Sequence, residues 1–191
     1  MDTTTDLLVL HTLRCIGYAE LPRVAHVAGL SESDTESELI DLAVGGWVTR
    51  EFGGWGLTEK GHAEDARRIA GQLDVSGARA TVTRAYERFL LLNPELLDLC
   101  SAWQMRGAQV NDHTDPDYDE RVLRRFEDLD GRVDEVLAAL PRFARYRTRL
   151  SEALTMVRNG QREHLADSLE SYHSIWFQLH EDLLATLGIP R

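Results

Sequence analysis

Apolar side chains recur every three or four residues through most of the second half of the chain. This period places each run of apolar residues on one face of an α-helix. Helices with such faces pack side by side, so the sequence predicts an antiparallel helical bundle over residues 78–191. The three runs are Val122, Phe126, Leu129, Val133, Val136 and Leu140; then Phe143, Tyr146, Leu150, Leu154 and Val157; then Leu165, Leu169, Tyr172, Trp176, Leu179, Leu183 and Leu187.

The start of this second half is less regular. A helix is predicted from about Pro94 to Arg106, because proline is favoured in the first turn of a helix. A polar loop is expected over residues 107–117. The segment Asp74-Val75-Ser76-Gly77 weakens the preceding helix and places a domain boundary there, so we expect two domains, 1–73 and 78–191.

Residues 1–73 are divided by short turns into elements of a different kind. Ser31 and Thr58 are predicted N-caps, and two short strands are predicted on either side of Gly53-Gly54. The resulting order of helix, helix, turn, helix, hairpin and helix is that of a winged helix-turn-helix domain. The predicted helices end near Gly17, span Glu20 to Ala28, run from Ser31 to Gly45, and run from Thr58 to Ala70.

Three segments of this domain resemble MarR- and PadR-type winged-helix regulators. They are Gly29-Leu30-Ser31, Gly46-Trp47-Val48-Thr49-Arg50 and Leu57-Thr58-Glu59-Lys60-Gly61. In those families, a leucine-threonine-glutamate-lysine-glycine stretch follows the wing and opens the next helix. The resemblance covers residues 1–73. It implies a mainly α fold, with an N-terminal winged helix-turn-helix and small β-hairpin wing, that binds DNA and regulates transcription.

The third helix of a helix-turn-helix enters the major groove of DNA. The predicted contact surface therefore comprises the hydroxyl side chains of that helix, facing the base edges, and two basic residues, holding phosphates. These candidate DNA-binding residues are Ser31, Ser33, Thr35, Ser37, Arg50 and Lys60.

The charge of the third helix opposes this interpretation. Residues 31–44 hold five acids and no base, and the whole chain has a net charge of −11. Carboxylates beside DNA phosphates add repulsion where attraction is usual. The alternative is a helical protein that does not bind DNA. It would keep the acidic winged helix as a structural or protein-interaction module, with its function in the C-terminal bundle as a binder or an enzyme.

Two groups in the second half are candidate ligand contacts. Pro141–Arg149 holds four arginines, of which Arg142 and Arg145 could bind an anion; the alternative is pairing with acids on neighbouring helices. Around the C-terminal helix, imidazoles beside large rings predict a cavity for a planar or acidic molecule; the alternative is a packed core with satisfied histidines. The residues of this predicted cavity are Trp103, Tyr172, His173, Trp176 and His180.

Signals for catalysis are weak. The sequence contains no phosphate-binding loop, no Gly-x-Ser-x-Gly and no His-Glu-x-x-His, so an enzyme is the less favoured hypothesis and no catalytic residue is assigned. Glu170 and His173 form one Glu-x-x-His pair in the bundle, where a di-iron site needs two. We therefore expect neither a metal site nor a cofactor.

The expected partners follow from the runs of apolar residues and from the family resemblance. The apolar surface of the C-terminal half exceeds what one small bundle covers, which predicts a homodimer. DNA and a small-molecule effector are the other expected partners, and ligand-linked reorientation of two DNA-reading domains is the implied mechanism. No apolar run approaches the length of a membrane span, and Cys15 and Cys100 are too few for a disulfide framework. A cytoplasmic protein is expected.

Overall fold

The computed structural model describes residues 4–190. Within them the protein is mainly helical, with two small antiparallel pairs of strands, and it divides into two compact units, Met1–Ala80 with Gln178–Arg191, and Thr81–Phe177. The elements are α1 Thr5–Ile16, α2 Leu21–Ala28, α3 Glu32–Val44, β1 Val48–Glu51, β2 Gly54–Leu57, α4 Glu59–Ser76, α5 Arg79–Gln104, β3 Met105–Arg106, β4 Gln109–Val110, α6 Pro116–Leu137, a 3₁₀ turn Pro141–Phe143, α7 Ala144–Arg158, α8 Glu163–Ala166 and α9 Tyr172–Leu187.

The helices of the first unit begin and end at the residues that local chemistry favours. Gly29 ends α2 in the left-handed conformation, with a φ of 72° that glycine adopts without strain. The Ser31 side chain then caps α3 by accepting a hydrogen bond from the Asp34 amide. Because Gly29 ends one helix and Ser31 caps the next, only three residues separate α2 from α3.

The β1–β2 hairpin is antiparallel, with Val48 opposite Leu57 and Arg50 opposite Trp55. Glycine at position 54 lets the Tyr18 ring pack on the hairpin, because a Cβ there would lie 2.4 Å from that ring. The Tyr18 hydroxyl also accepts a hydrogen bond from the Gly54 amide at 3.0 Å. These contacts hold the hairpin against the residue that follows α1.

The segment between β2 and α4 makes close contacts with the end of α3. The Thr58 hydroxyl accepts from the Gly61 amide and donates to the Gly46 carbonyl at 2.8 Å. Lys60 Nζ donates to the Gly45 carbonyl at 2.8 Å. A Cβ at Gly61 would lie 1.9 Å from the Trp47 carbonyl oxygen. Threonine, lysine and glycine of this segment therefore each have a structural role.

The core of the first unit is apolar and draws on α1, α2, α3 and the hairpin. Its buried members remove apolar surface from water, which stabilises the unit by about 25 cal/mol per Å² of that surface. They include Val9, Leu10, Leu13, Val24, Leu39, Leu42, Val48 and Trp55.

Helix α5 differs from the prediction that a helix begins at Pro94. It starts at Arg79, and Pro94 lies inside it. Pro94 is exposed, and so is Leu90 one turn earlier. The Leu90 carbonyl, which loses its helical donor at Pro94, can bond to water there. A single proline on the solvent face therefore did not end the helix.

The last predicted stripe, from Leu165 to Leu187, is divided between two helices. Helix α8 ends at Ala166 and α9 begins at Tyr172. The Ser171 hydroxyl accepts a hydrogen bond from the Ser174 amide at 3.1 Å, as an N-cap does. The Ser174 hydroxyl in turn donates to the Ser168 carbonyl at 2.8 Å. These serine contacts make a new helix start where the apolar period alone continues.

The division of the chain differs from the predicted 1–73 and 78–191 at its C-terminal end. The first unit extends to Ala80 and also includes Gln178–Arg191. A buried hydrogen bond from His11 to Asp182 joins this terminal segment to α1. The apolar periodicity of the C-terminal helix could not predict this grouping, because periodicity shows which face of a helix is buried but not which other helices contact that face.

Candidate functional site

The exposed face of α3 combines acids with hydroxyl and apolar side chains. Its exposed acids are Glu32, Asp34, Glu36 and Asp41, and Ser33 and Ser37 are exposed beside them. Two apolar side chains at i and i+4 complete the face, since Ile40 is 51% and Val44 85% exposed. We call this set of eight residues the α3 surface. Among residues 4–190, Glu32, Glu36 and Asp41 have no cationic partner.

Two of the predicted base contacts have internal roles instead. Thr35 is fully buried, and its hydroxyl donates to the Ser31 carbonyl at 2.8 Å. The prediction that Thr35 contacts DNA is therefore wrong, because its side chain is buried. The Ser31 hydroxyl caps α3 and donates to Asp34 Oδ2 at 2.7 Å. Ser33 and Ser37 remain as exposed hydroxyl groups of α3.

The predicted phosphate contacts are both exposed, but they differ in their surroundings. Lys60 is bonded to the Gly45 carbonyl and lies over the Trp47 ring at 5.8 Å. The Arg50 guanidinium lies over the Trp55 ring, 5.4 Å from its centroid, and has no carboxylate partner among the described residues. Arg50 is therefore the predicted contact whose charge is available at the surface.

Other bases of the first unit are matched to acids of the same unit. Arg67 pairs with Glu64 at 2.7 Å, and Arg68 pairs with Asp6 at 2.8 Å. Arg14 lies 3.7 Å from Glu181. These pairs leave little positive charge to offset the α3 surface.

Glu38, half-buried beside the α3 surface, has a carboxyl pKa raised above its ordinary value. Burial is the largest cause, and the neighbouring carboxylates of Asp6, Asp41 and Asp34 add to it. Like charges disfavour ionisation, so the smaller part of this shift that comes from the three carboxylates reflects negative charge around α3.

A buried polar cluster lies inside the first unit. His11 Nδ1 is 2.9 Å from Asp65 Oδ1, and His11 Nε2 is 3.0 Å from Asp182 Oδ1. The Cys15 sulfur is 3.7 Å from His11 Nε2, and the Thr186 hydroxyl donates to Asp182 Oδ1 at 3.0 Å. We call these five residues the His11 cluster. Burial opposes protonation of His11, but Cys15, Asp182 and Asp65 outweigh it, so the His11 pKa lies well above its ordinary value.

Sequence reasoning missed the His11 cluster. Asp65 and Asp182 are 54 and 171 residues from His11 along the chain, so no local spacing points to them. The available signal was on α1, where His11 and Cys15 lie one helical turn apart among the buried residues Leu7, Leu10 and Leu13. A histidine and a cysteine on the helix face that packs into the core indicate that a polar partner is buried beside them.

The arginines near Pro141 are partly matched by acids, as the pairing hypothesis describes. Arg147 Nη2 is 2.6 Å from Asp130 Oδ2, and Arg147 Nη1 is 2.9 Å from Asp134. Arg149 is buried and pairs with Glu170 at 2.7 Å. The predicted ligand contacts Arg142 and Arg145 are half-buried and lie over the Phe143 and Tyr146 rings.

Two predicted cavity residues, Tyr172 and Trp176, lie in a buried aromatic cluster. The Tyr172 hydroxyl donates to Asp130 at 2.8 Å, and burial followed by the Asp130 charge raises the Tyr172 pKa well above its ordinary value. Trp176 Nε1 donates to Asn93 at 2.9 Å, and its ring stacks on Phe89 at 4.7 Å. Both polar atoms have partners, which agrees with the packed-core alternative.

The other predicted cavity residues have different surroundings. Trp103 is buried, its ring lies 4.7 Å from the His113 ring at a tilt of 49°, and its Nε1 is without a hydrogen-bond partner among residues 4–190. His173 and His180 are half-buried, and the division between the units falls between them, after Phe177. The cavity joining them therefore stays a prediction.

The second unit also has an open groove that the sequence did not indicate. It is formed by α5 and α6, and Arg84, Arg88, Leu91 and Glu135 are among its lining residues. Arg88 Nη2 pairs with Glu135 across it at 2.7 Å, and none of the predicted ligand contacts lines it.

Comparisons of the chain with protein-family models, with curated proteins and with solved structures found no match. Across the part of the chain that is described, each helix is too short or too polar to cross a lipid bilayer. The function is therefore argued from the α3 surface, the His11 cluster and the charges around them.

Proposed function

We propose that the first unit is a winged helix-turn-helix domain that binds a basic protein partner through α3 instead of reading DNA. The order α1, α2, α3, β1, β2 and α4 supports the winged helix, with β1 and β2 as the wing. The short α2–α3 connection at Gly29 supports it too, because a tight turn before the third helix is typical of the motif.

The segment that carries the family resemblance supports the fold more than DNA binding. Thr58 caps α4, Lys60 bonds the carbonyl after α3, and Gly61 makes room for the Trp47 carbonyl. Each of these roles joins two elements of the domain. A domain that has lost DNA binding would keep all three.

The observation that carries the proposal is the unmatched negative charge of the α3 surface. Glu32, Glu36 and Asp41 lack cationic partners among the described residues, and the Glu38 pKa is raised with neighbouring carboxylates contributing. Such a surface repels phosphates and attracts a basic protein surface.

The apolar members of the α3 surface favour a protein partner in the same way. Ile40 and Val44 lie one turn apart on the face that also carries Asp41. Interfaces between proteins combine an apolar centre with a charged rim. An amphipathic basic segment, with apolar side chains between arginines or lysines, is complementary to this pattern.

A DNA-binding regulator is the second candidate, and Arg50 favours it. The Arg50 side chain is exposed on the proposed wing without a carboxylate partner in residues 4–190, and Ser33 and Ser37 are exposed on α3. In this candidate the helical unit dimerises and senses an effector. The exposed side chains Leu90 and Leu97, two turns apart on α5, support a homodimer with a helical interface.

The experiment is site-specific photocrosslinking in cells from a residue of the α3 surface. A photoreactive amino acid replaces Ser37, and the matched control replaces Ser101, which is exposed on α5. We expect a protein adduct from position 37 that is absent from position 101. The captured protein, once purified, should bind the wild-type chain and lose at least tenfold affinity for Asp41→Lys.

The proposal and its rival give different adducts. Crosslinking of position 37 to DNA would overturn the proposal in favour of the regulator. Binding of the captured protein that is unchanged by Asp41→Lys would also contradict it, because the acidic surface would then not be the contact.

A further inference from the structure

The ligand set of the His11 cluster goes beyond the proposed function and does not depend on it. His11 and Cys15 lie on the same face of α1, one turn apart, and Asp182 reaches them from α9. One nitrogen, one sulfur and one carboxylate oxygen of these residues all lie within 4.8 Å of one another, and all three residues are buried. We infer that His11, Cys15 and Asp182 bind a zinc ion.

The distances between the ligand atoms agree with tetrahedral zinc. With bonds of about 2.05 Å to nitrogen and oxygen and 2.3 Å to sulfur, tetrahedral angles separate nitrogen from sulfur by about 3.6 Å and nitrogen from oxygen by about 3.4 Å. The Cys15 sulfur is 3.7 Å and Asp182 Oδ1 is 3.0 Å from His11 Nε2. These two distances lie within about 0.4 Å of the tetrahedral values, and the Cys15 sulfur and the Asp182 oxygen lie within 4.8 Å of each other.

The surrounding groups orient these ligands as outer groups do in zinc proteins. Asp65 Oδ1 faces His11 Nδ1 at 2.9 Å, which fixes the ring so that Nε2 points to Cys15 and Asp182. The Thr186 hydroxyl fixes Asp182 from the next turn of α9. The second oxygen of Asp65 is buried and has no hydrogen-bond partner among residues 4–190, so this carboxylate is held mainly by the imidazole.

The exchange of protons for zinc leaves the charge of the cluster unchanged. Both ring nitrogens of His11 face carboxylate oxygens, so the doubly protonated ring can donate one proton to each of them when the metal is absent. Zinc binding releases the Nε2 proton of His11 and the thiol proton of Cys15, while the Nδ1 proton stays on the His11 ring and is donated to Asp65. Two positive charges leave and two enter, so the ion adds no uncompensated charge to the interior.

The ligand types select zinc over the common hard cations. A thiolate and an imidazole suit zinc, whereas magnesium and calcium take oxygen ligands. Three protein ligands leave a fourth position, which the second oxygen of Asp182 or a water molecule can fill.

The test measures metal in the purified full-length chain after zinc loading and dialysis. We expect about one zinc ion per chain by elemental analysis. Cobalt substituted for zinc should give the near-ultraviolet charge-transfer band of a cobalt–thiolate bond. Less than about a tenth of an ion per chain, or a cobalt spectrum without the thiolate band, would overturn the inference, and neither result requires a variant.

Two serine variants identify the thiolate. Cys15→Ser should abolish the cobalt–thiolate band and weaken zinc binding by 10-fold or more. Cys100→Ser is the matched control, because Cys100 is also a buried free cysteine and lies in the second unit. A band that survives Cys15→Ser, or that is lost in Cys100→Ser, would place the metal elsewhere and contradict the site.

Discussion

Helices α3 and α7 carry charge of opposite sign and are neutralised to different degrees. Helix α7 holds four arginines, and three of them, Arg147, Arg149 and Arg158, pair with acids of the second unit at 2.5–2.9 Å. On α3, by contrast, Glu32, Glu36 and Asp41 lack a cationic partner within residues 4–190.

The difference shows which charges serve the fold. Charge that is matched within the same unit, as on α7, stabilises that unit and leaves little for a partner. Unmatched charge on α3 raises the energy of the isolated domain slightly through self-repulsion, and a cationic partner can relieve that repulsion. The comparison therefore favours a structural role for α7 and supports the proposed interaction role of α3.

The largest expected effect comes from breaking the charge matching of α7. Asp130→Ala removes the acceptor of both Arg147 and the buried Tyr172 hydroxyl. We expect a loss of about 2–3 kcal/mol in the free energy of unfolding, since the buried Tyr172 phenol loses its acceptor and the half-buried Arg147 guanidinium keeps only Asp134 as a carboxylate partner. Urea denaturation measures it. Asp128→Ala on the same helix is the control, and an equal loss in both variants would refute the structural role.

A much smaller effect on stability is expected on α3. Glu36→Gln with Asp41→Asn removes two exposed acids that have no cationic partner among the described residues. The free energy of unfolding should change by less than about 0.5 kcal/mol, with any change towards greater stability. Thermal denaturation of this double variant beside Glu152→Gln of α7 checks it. Destabilisation above about 1 kcal/mol would mean that the α3 acids have a partner within the fold.

The smallest expected effect is on the titration of Glu38. Its folded-state pKa is raised above 4.5 by burial first and then by Asp6, Asp41 and Asp34. A raised carboxyl pKa means that the folded protein binds this proton more tightly than the unfolded chain. The contribution to stability is therefore present below about pH 4.5 and is lost as the pH rises through the folded pKa.

Carbon-13 NMR of the Glu38 carboxyl measures this shift directly. Asp41→Asn should move the midpoint down, towards 4.5, by removing one repelling charge. A midpoint that does not respond to Asp41→Asn would show that the Asp41 charge does not contribute to the shift, and the comparison with α7 would lose this support.

The parts of the fold that follow local rules could be predicted from the sequence. Helices α1, α2 and α3 end or begin at Gly17, Gly29 and Ser31 as expected, because caps and left-handed glycines act within a few residues. The N-cap at Thr58 was predicted for the same reason. The prediction that a helix begins at Pro94 was wrong, because this position is exposed and the helix continues through the proline.

The site was less predictable because its partners are distant in sequence. Five acids on α3 were visible in the sequence, but the burial of Thr35 was not, since that depends on the face that α3 turns to the core. Asp65 and Asp182 reach His11 only through the packing of α4 and α9 against α1. Contacts between residues this far apart in the sequence produce no periodic pattern from which they could be predicted.

The most direct test of the central claim is binding of the purified chain to duplex DNA. Fluorescence anisotropy of a labelled duplex from the region upstream of its own gene, at about 50 mM salt, favours any phosphate contact. The interaction role of α3 predicts no saturable binding up to about 10 μM protein. Saturable binding below about 1 μM that Arg50→Ala weakens would contradict it and establish the DNA-binding regulator.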